Sequence, residues 1–486
     1  NARVYGKIVM DTMLRDDLIT TLTRAIKDVG RAKYQGLAQG LRTAIADDLL
    51  KTGEKLPAVR ELAWRVGVTP NTVARAYTIL TDEGRLTAGV GRGTFVADAA
   101  PAVGIVSTQI ATAPPPKPDW PAVADLRSPK LPDLGQGDLL RAGLVHIAQT
   151  APIEHLLRYP SRLTDEAARQ AFRHWVSNAP VGSFTEDDVV IAHGGQSAIV
   201  MILQTILEGA EPVILVDDLT YSGYRRAAEL VRARTVSVPW DAHGPDPKAL
   251  ERLAIKHKAQ IFCTSAEVCN PIALTTQPQR RAEIAEVAKR IGLHVLDDDC
   301  YRTGPHRGES YRALLPDLGW YVTSPSKAIT PALRIGFALP PNGWGNSLSR
   351  VAVHTSFGVA RTVTDLFAAV VNDPQLPTIA AAIRDRINDD LRIALNHLGG
   401  HAVNWLPDVP FLWVELPRGW RAQTFCREAE GRGVVLKSAD EFAPREGRAV
   451  HAVRIAVNGQ IAPGRFEQAM ADLRHLLDNP PESISV

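Results

Sequence analysis

Cysteine, methionine and aromatic residues are scarce: the 486 residues include 4 Cys and 4 Met, and aromatics make up 6%. Cys263, Cys269, Cys300 and Cys426 show no C-x-x-C spacing, which argues against a zinc knuckle or a disulfide framework and leaves reduced thiols. No stretch approaches the ~20 consecutive apolar residues that crossing a bilayer takes, and the first residues lack the apolar run of a secretory signal. A cytoplasmic location is therefore expected. No internal repeat of solenoid length stands out. A large excess of one charge is missing too, the formal net charge being +2.

What is present is ordinary for a folded chain: 45% hydrophobic and 22% charged residues argue against disorder over the bulk of it. At this length two or three cores are expected. Charge is uneven, however. Residues 1–97 carry 15 basic and 10 acidic side chains, and residues 98–486 carry 40 and 43. A mildly basic head is compatible with phosphate contacts without demanding them. Proline marks the division. Residues 98–133 include Pro101, Pro114-Pro115-Pro116, Pro118, Pro121, Pro129 and Pro132 without sustained periodicity, and read as a semi-rigid linker. It separates a head at 31–97 from a large domain at 134–486; the first 30 residues are given little functional weight.

In the head, Tyr34, Leu37, Leu41, Ile45 and Leu49 recur at helical steps, with Gly53 beyond the end. A short second helix starts near Pro57, turns Val59, Leu62, Ala63 and Val66 inward and Arg60, Glu61 and Arg65 outward, and ends at Gly67. Thr69 can cap a third helix with Pro70 first, burying Val73, Ala76, Tyr77 and Leu80. Its outer face presents Asn71, Thr72 and Arg75, where a recognition helix meets base edges and phosphates. Arg85-Leu86-Thr87 and Thr94-Phe95-Val96 read as two strands around a glycine-rich turn tipped by Arg92. A small helical bundle with solvated arginines would show the same periodicity.

Past residue 134, short β-rich runs alternate with longer amphipathic stretches, as in a sheet covered by helices. Candidate strands are Val189–Ile191, Val213–Val216, Gln260–Cys263, Val295–Leu296, Tyr321–Val322 and Ile335–Ala338. Polar clusters follow several of them, and strand ends are where such sheets collect ligands. Gly194-Gly195-Gln196-Ser197 opens an apolar helix whose N-terminus can receive a phosphate, or is a plain turn. Asp297-Asp298-Asp299 follows a buried strand, where an unpaired carboxylate is costly; capping and solvation are the alternative. Ser324-Pro325-Ser326-Lys327 leads to Arg334. Lysine, carboxylate and phosphate cup together suit a Schiff base to an aldehyde cofactor.

Two resemblances join these readings. The run GEKLPAVRELAWRVGVTPNTVARAYTILTDEGRLTAGVGRGTFVA resembles the winged helix-turn-helix of GntR-type regulators over 32–96, with Pro70 where the family often has arginine. The ordered motifs HGGQSAI, DDLTYSGYRRA, CNPIALTT, VLDDDCY, TSPSKAITPALRIGF and VRIAV resemble fold-type I aminotransferases over 134–476. Together they resemble the MocR subfamily. The implied fold is multidomain α/β: a winged helix-turn-helix, then a pyridoxal phosphate-dependent transferase fold type I with a mixed, mostly parallel sheet flanked by helices and a smaller C-terminal α+β subdomain.

The resemblance implies pyridoxal 5'-phosphate as cofactor, with Lys327 forming the Schiff base and Asp298 keeping the pyridine nitrogen protonated. Asp297 and Asp299 remain competing assignments. Asn270 and Tyr301 would bond the phenolic oxygen, although Ile272-Ala273 replaces the usual Thr-Gly and many MocR proteins place the tyrosine one residue earlier. Tyr221 would stack on the ring. Gly195, Gln196, Ser324, Ser326 and Arg334 would form the phosphate cup, and Tyr159 would reach a neighbouring subunit's phosphate. Arg454 would bind an effector's carboxylate by a bidentate fork. Double-stranded DNA, through Arg60, Thr69, Asn71, Thr72, Arg75 and Arg92, an amine or amino acid effector, and a second copy in a head-to-tail homodimer are the implied partners. A working aminotransferase with an accessory DNA-binding domain is the competing reading, because the lysine, aspartate and arginine of transamination are all kept.

Overall fold

The computed structural model describes residues 17–26, 33–47, 49–83, 85–89, 93–97, 123–161, 164–444 and 450–481. The chain divides into two compact units, Asn1–Pro116 and Lys117–Val486.

The smaller unit is built from short amphipathic pieces. Helix α1 covers 17–26, α2 Lys33–Ala46, α3 Val59–Val66 and α4 Pro70–Asp82. Strands β1 (Leu86–Gly89) and β2 (Gly93–Val96) pair antiparallel, forming the expected wing. Gly67 ends α3 at φ 66, a left-handed cap that a side chain would strain. Thr69 caps α4 through the Thr72 amide at 3.4 Å, with Pro70 filling the first turn, where an amide would have no partner. Leu37, Leu41, Leu62, Val66, Val73, Tyr77, Leu80 and Val96 form one core. Leu18, Leu22 and Ile26 belong to it. The packed head therefore starts at least as early as residue 17, because this four-residue spacing gives α1 its own apolar face.

In the larger unit, β3 (Ala124–Asp125) precedes the main strands β4 (Val190–Ala192), β5 (Val213–Asp217) and β6 (Arg234–Val238). A small hairpin, β7 (Trp240–Asp241) and β8 (Gly244–Pro245), leads to β9 (Ile261–Thr264), β10 (His294–Asp298), β11 (Gly319–Thr323) and β12 (Gly336–Leu339). Seven of them form a sheet in the order β4-β12-β11-β10-β9-β5-β6, parallel except at β12. The runs VILVD and IFCT are buried along their whole length, as strands covered on both faces must be. Antiparallel strands β13 (Val403–Asn404), β14 (Phe411–Glu415), β16 (Lys437–Ser438) and β17 (Ala452–Ala456) make a second, four-stranded sheet. With the helices Ala422–Gly431 and Pro463–Asp478 it forms the C-terminal α+β subdomain. No single helix among the described residues is long and apolar enough to cross a membrane.

The linker expectation needs correction at its C-terminal end. Ala124–Asp125 pairs in parallel with β15 (Val434–Val435), the Ala124 amide donates to the Gly433 carbonyl at 2.8 Å and the Leu126 amide to Val435 at 2.9 Å. Further on, the Lys130 amide donates to Val457 at 3.1 Å, and Leu126 and Leu131 are buried. Proline deprives a segment of donors but leaves its carbonyls and neighbouring amides free to join a sheet edge. Residues 124–131 are thus part of the larger unit; the rest of the expected linker up to residue 122 lies outside the described residues.

Candidate functional site

The polar residues picked out after the strands converge at the C-terminal ends of β4, β5, β9, β10 and β11, where parallel strands hand over to helices and loops. Gly194, at φ 85, turns the chain from β4 into the helix Gly195–Ile206. A methyl group on Gly194 would lie 2.9 Å from the Arg334 guanidinium, and one on Gly195 would lie 2.8 Å from the Cys300 sulfur. Only glycines let the helix N-terminus come this close to Arg334. The exposed Arg334 itself sits at φ 47. Ser324 is buried and Ser326 half-buried beside it in the turn that carries Lys327. Gln196 is differently employed: its Nε2 donates to the Gly223 carbonyl at 2.9 Å, bracing the turn behind Tyr221, while its Oε1 has no partner.

Alternation along β10 separates the three aspartates. Asp297 accepts from the Ala266 and Tyr311 amides, both at 3.1 Å. Asp299 accepts from the Tyr321 hydroxyl at 2.7 Å and from Arg302 Nε at 2.9 Å. Asp298 accepts the Cys300 amide at 3.2 Å. Burial raises its carboxyl to about 6, bonding from Cys300 opposing and the neighbouring Asp299 charge adding to the shift. Asp297 is engaged through both oxygens and Asp299 through Oδ2 alone, its Oδ1 being buried without a partner, so Asp298 and Asp299 both keep acceptor capacity.

Lys327 is depressed below the usual lysine range, chiefly by burial and then by the Arg454 charge, with Cys300 opposing and Arg334 adding to the effect. Its Nζ donates to the Pro129 carbonyl at 3.4 Å and lies 5.6 Å from the centre of the Tyr301 ring. A depressed pKa favours the free amine, the nucleophilic form. Tyr301 packs edge-on against Phe411 at 5.2 Å. Burial pushes its phenol up, while Arg454 pulls it down. Tyr221 is half-buried at the head of the helix Ser222–Leu230, edge-on to Tyr224 at 5.9 Å.

Arg454, on β17, comes from the other sheet and is 2% exposed. Nη1 donates to Asn270 Oδ1 at 2.6 Å and Nη2 to the Arg127 carbonyl at 2.5 Å, while Nε has no partner. Asn270 Nδ2 is also buried and unpartnered. An unsatisfied buried donor costs about 1–3 kcal/mol, so two in one cleft point to a ligand that accepts hydrogen bonds. Asn270, Asp298, Tyr301, Ser324, Lys327, Arg334 and Arg454 are therefore gathered at one place. Tyr159 stands apart, 79% exposed and 5.4 Å from the Phe357 ring. Cys300 and the Arg127 and Pro129 carbonyls escaped sequence reasoning. Only the position of Cys300 between Asp298 and Tyr301 was a usable signal.

In the smaller unit, Arg60 and Asn71 are exposed, and the Thr69 and Thr72 hydroxyls bond each other at 2.9 Å. Arg75 is exposed but not loose: its guanidinium lies 4.0 Å from the centre of the Tyr34 ring on α2. Arg92 lies outside the described residues.

Similarity to known proteins agrees with this geometry. Residues 129–448 match the family "Aminotransferase class I and II". The chain belongs to that family. Residues 33–96 match "Bacterial regulatory proteins, gntR family", which gives this aminotransferase family member the domain order of MocR-type regulators. The HTH-type transcriptional regulator YdeF of Bacillus subtilis is 24% identical over 455 residues, 92% of this chain and 94% of that protein. The probable rhizopine catabolism regulatory protein MocR of Rhizobium meliloti is 21% identical, covering 84% of this chain and 86% of its own. Among solved structures, LysN, the α-aminoadipate aminotransferase of Thermus thermophilus complexed with N-(5'-phosphopyridoxyl)-L-leucine, superimposes with a TM-score of 0.63 at 19% identity, over 74% of this chain and 92% of that one.

Proposed function

We propose that this protein is a DNA-binding transcription regulator of the MocR type that holds pyridoxal 5'-phosphate at Lys327 and answers to an amine or amino acid. The observation that carries the reading is the buried cleft in which Lys327, Asp298 and Asn270 converge, in a chain that also has a GntR-type head. The fit to the cofactor rests on the chain's own groups. Asn270 Nδ2 is an orphaned buried donor suited to a phenolic oxygen. Gly194 and Gly195 keep a helix N-terminus open beside Arg334, suited to a phosphate. When bound, the cofactor supplies an aldehyde for amines and a ring that accepts electron density. Lys327 would offer it an amine whose pKa burial lowers, Asp298 would face the ring nitrogen with the acceptor capacity it keeps, and Tyr221 would cover one ring face. Arg454 would hold a carboxylate.

The head would bind duplex DNA with α4 in the major groove, Asn71 toward base edges and Arg60, Arg75 and Arg92 toward phosphates. Thr69 and Thr72 would serve chiefly by capping α4. The exposed apolar surface of Ile153, Leu156, Leu157, Tyr159 and Phe357 supports a homodimer, which gives an operator two heads.

An aminotransferase is the second reading, favoured by the intact set Asn270, Asp298, Lys327 and Arg454. One experiment separates them: visible absorbance of the purified protein beside Lys327→Ala, scanned with a panel of amines, with operator binding measured on the same samples. A band that requires Lys327 and shifts, without turnover, with an amine that changes DNA binding is expected. Rapid conversion to pyridoxamine phosphate with unchanged DNA binding would make it an enzyme, and a missing band would remove the cofactor from the account.

A further inference from the structure

Arg454 is held in part by the chain's own backbone. A carboxylate that binds a guanidinium side-on uses Nε together with Nη2. Here Nε has no partner, while Nη2 is taken by the Arg127 main-chain carbonyl at 2.5 Å. Half of the carboxylate fork is therefore occupied by the chain itself. Two residues on, the Pro129 carbonyl accepts from Lys327 Nζ at 3.4 Å. The bulge 127–129 thus touches both of the groups assigned to an amino acid effector.

The bulge is anchored by main-chain bonds on either side and, in between, by the Arg127 amide donating to Asp125 Oδ1 at 3.2 Å. Upstream, the Leu126 amide donates to Val435 and the Leu126 carbonyl accepts from Ala456, both at 2.9 Å. Downstream, the Lys130 amide donates to Val457 at 3.1 Å and the Lys130 carbonyl accepts from Gly459 at 2.8 Å. Asp125 braces it from below, accepting from Arg127 Nε at 2.9 Å and Lys130 Nζ at 3.1 Å. In sequence, this is where the chain coming from the DNA-binding head enters the larger unit.

We infer that the Arg127 carbonyl is a built-in competitor for the effector's carboxylate, so that amines carrying a carboxylate displace the 127–129 bulge and amines lacking one leave it in place. This rests on the functional reading above and narrows its effector class to amino acids. A charged carboxylate is the stronger acceptor for a buried guanidinium, and it satisfies Nε as well, so exchange of one neutral carbonyl for two charge-assisted bonds favours displacement. The regulatory consequence follows from differential binding: only a ligand that prefers the displaced bulge can shift residues 124–131 of the larger unit.

The test uses the full-length protein loaded with pyridoxal phosphate. Alanine beside ethylamine and γ-aminobutyrate beside propylamine are the probes. The visible band reports arrival of each amine, and hydrogen exchange reports the amides of Leu126 and Lys130. We expect any amino acid that shifts the band to speed exchange at these amides by about tenfold or more, as the loss of a local anchor should, and its carboxylate-free partner to shift the band without that effect. Arg454→Gln should abolish the exchange response. Asp125→Asn, which loosens the bulge without touching the cleft, should tighten amino acid binding several-fold, roughly as loss of a weak internal competitor should, and leave amine binding unchanged. Equal exchange responses to both members of a pair, or a shifted band with no exchange response to the amino acid, would overturn the inference alone. A band unmoved by every probe would overturn the functional reading and this inference with it.

Discussion

The two units build their candidate sites in opposite ways. In the head, the supports are few and close by: Thr69 caps α4 through the Thr72 amide three residues on, and Arg75 rests on Tyr34 of α2, 41 residues earlier. These groups are exposed, as a surface that meets phosphates must be. In the larger unit, Arg454 reaches Asn270 across 184 residues and Arg127 across 327. There Asn270, Asp298 and Arg454 are buried, and the pKa values of Asp298 and Lys327 are shifted by burial and by neighbouring charges. The difference teaches where sensitivity lies. A local, solvated site loses one contact per substitution, whereas a buried convergent site exposes several groups to the same change.

The comparison breaks most completely at Lys327. Lys327→Ala should abolish the visible cofactor band while leaving the thermal transition of the head in place, as shown by absorbance beside calorimetry. Asp298→Asn should weaken cofactor binding by about 1.5–3 kcal/mol, or roughly 10- to 100-fold, because a charged acceptor is replaced by a neutral one; dialysis equilibrium measures it, and an unchanged affinity would point to Asp297 or Asp299 instead.

In the head, Arg75→Ala should lower DNA affinity about equally across sequences and reduce the salt slope by about one. Tyr34→Leu should cost less, roughly 0.5–1 kcal/mol, by freeing the guanidinium from its ring, and Tyr34→Phe should restore it. Thr69→Ala should remove about 1 kcal/mol of head stability through loss of the cap, without changing the salt slope.

The smallest effect concerns pH. Burial raises both Asp217 and Asp297 to about 7, above their ordinary carboxylate value. Between pH 4 and 7 the folded protein holds protons that the unfolded chain has released, so this stabilisation is complete below about pH 4 and is lost as pH rises through 7. Asp217→Asn should flatten the fall in melting temperature between pH 5 and 8 by about 2 °C; an unaltered profile would show that Asp217 is charged in the fold.

Much of this was legible beforehand, and for identifiable reasons. Gly67, Thr69 and Pro70 announce a helix end and a helix start within four residues, because caps are read by chemistry at fixed offsets. Buried parallel strands such as VILVD announce themselves by continuous apolarity. Proline misled at residues 124–131, where it suggests a free linker although amides and carbonyls between the prolines complete a sheet edge. Nothing local marks Leu18, Leu22 and Ile26 as head core beyond their spacing.

By itself, then, the sequence determined the division into two kinds of domain, the helices and caps of the head, the order of strands and polar motifs in the larger unit, and the set of residues worth considering. These follow from periodicity and from residue chemistry acting over a few positions. Only the tertiary structure decided that Asp297 is engaged through both oxygens, that Gln196 braces a turn, that Arg75 rests on Tyr34, and that Arg127 lends its carbonyl to Arg454. Each of these depends on which distant backbone group a side chain meets, and a main-chain carbonyl carries no signature of its partner in the sequence.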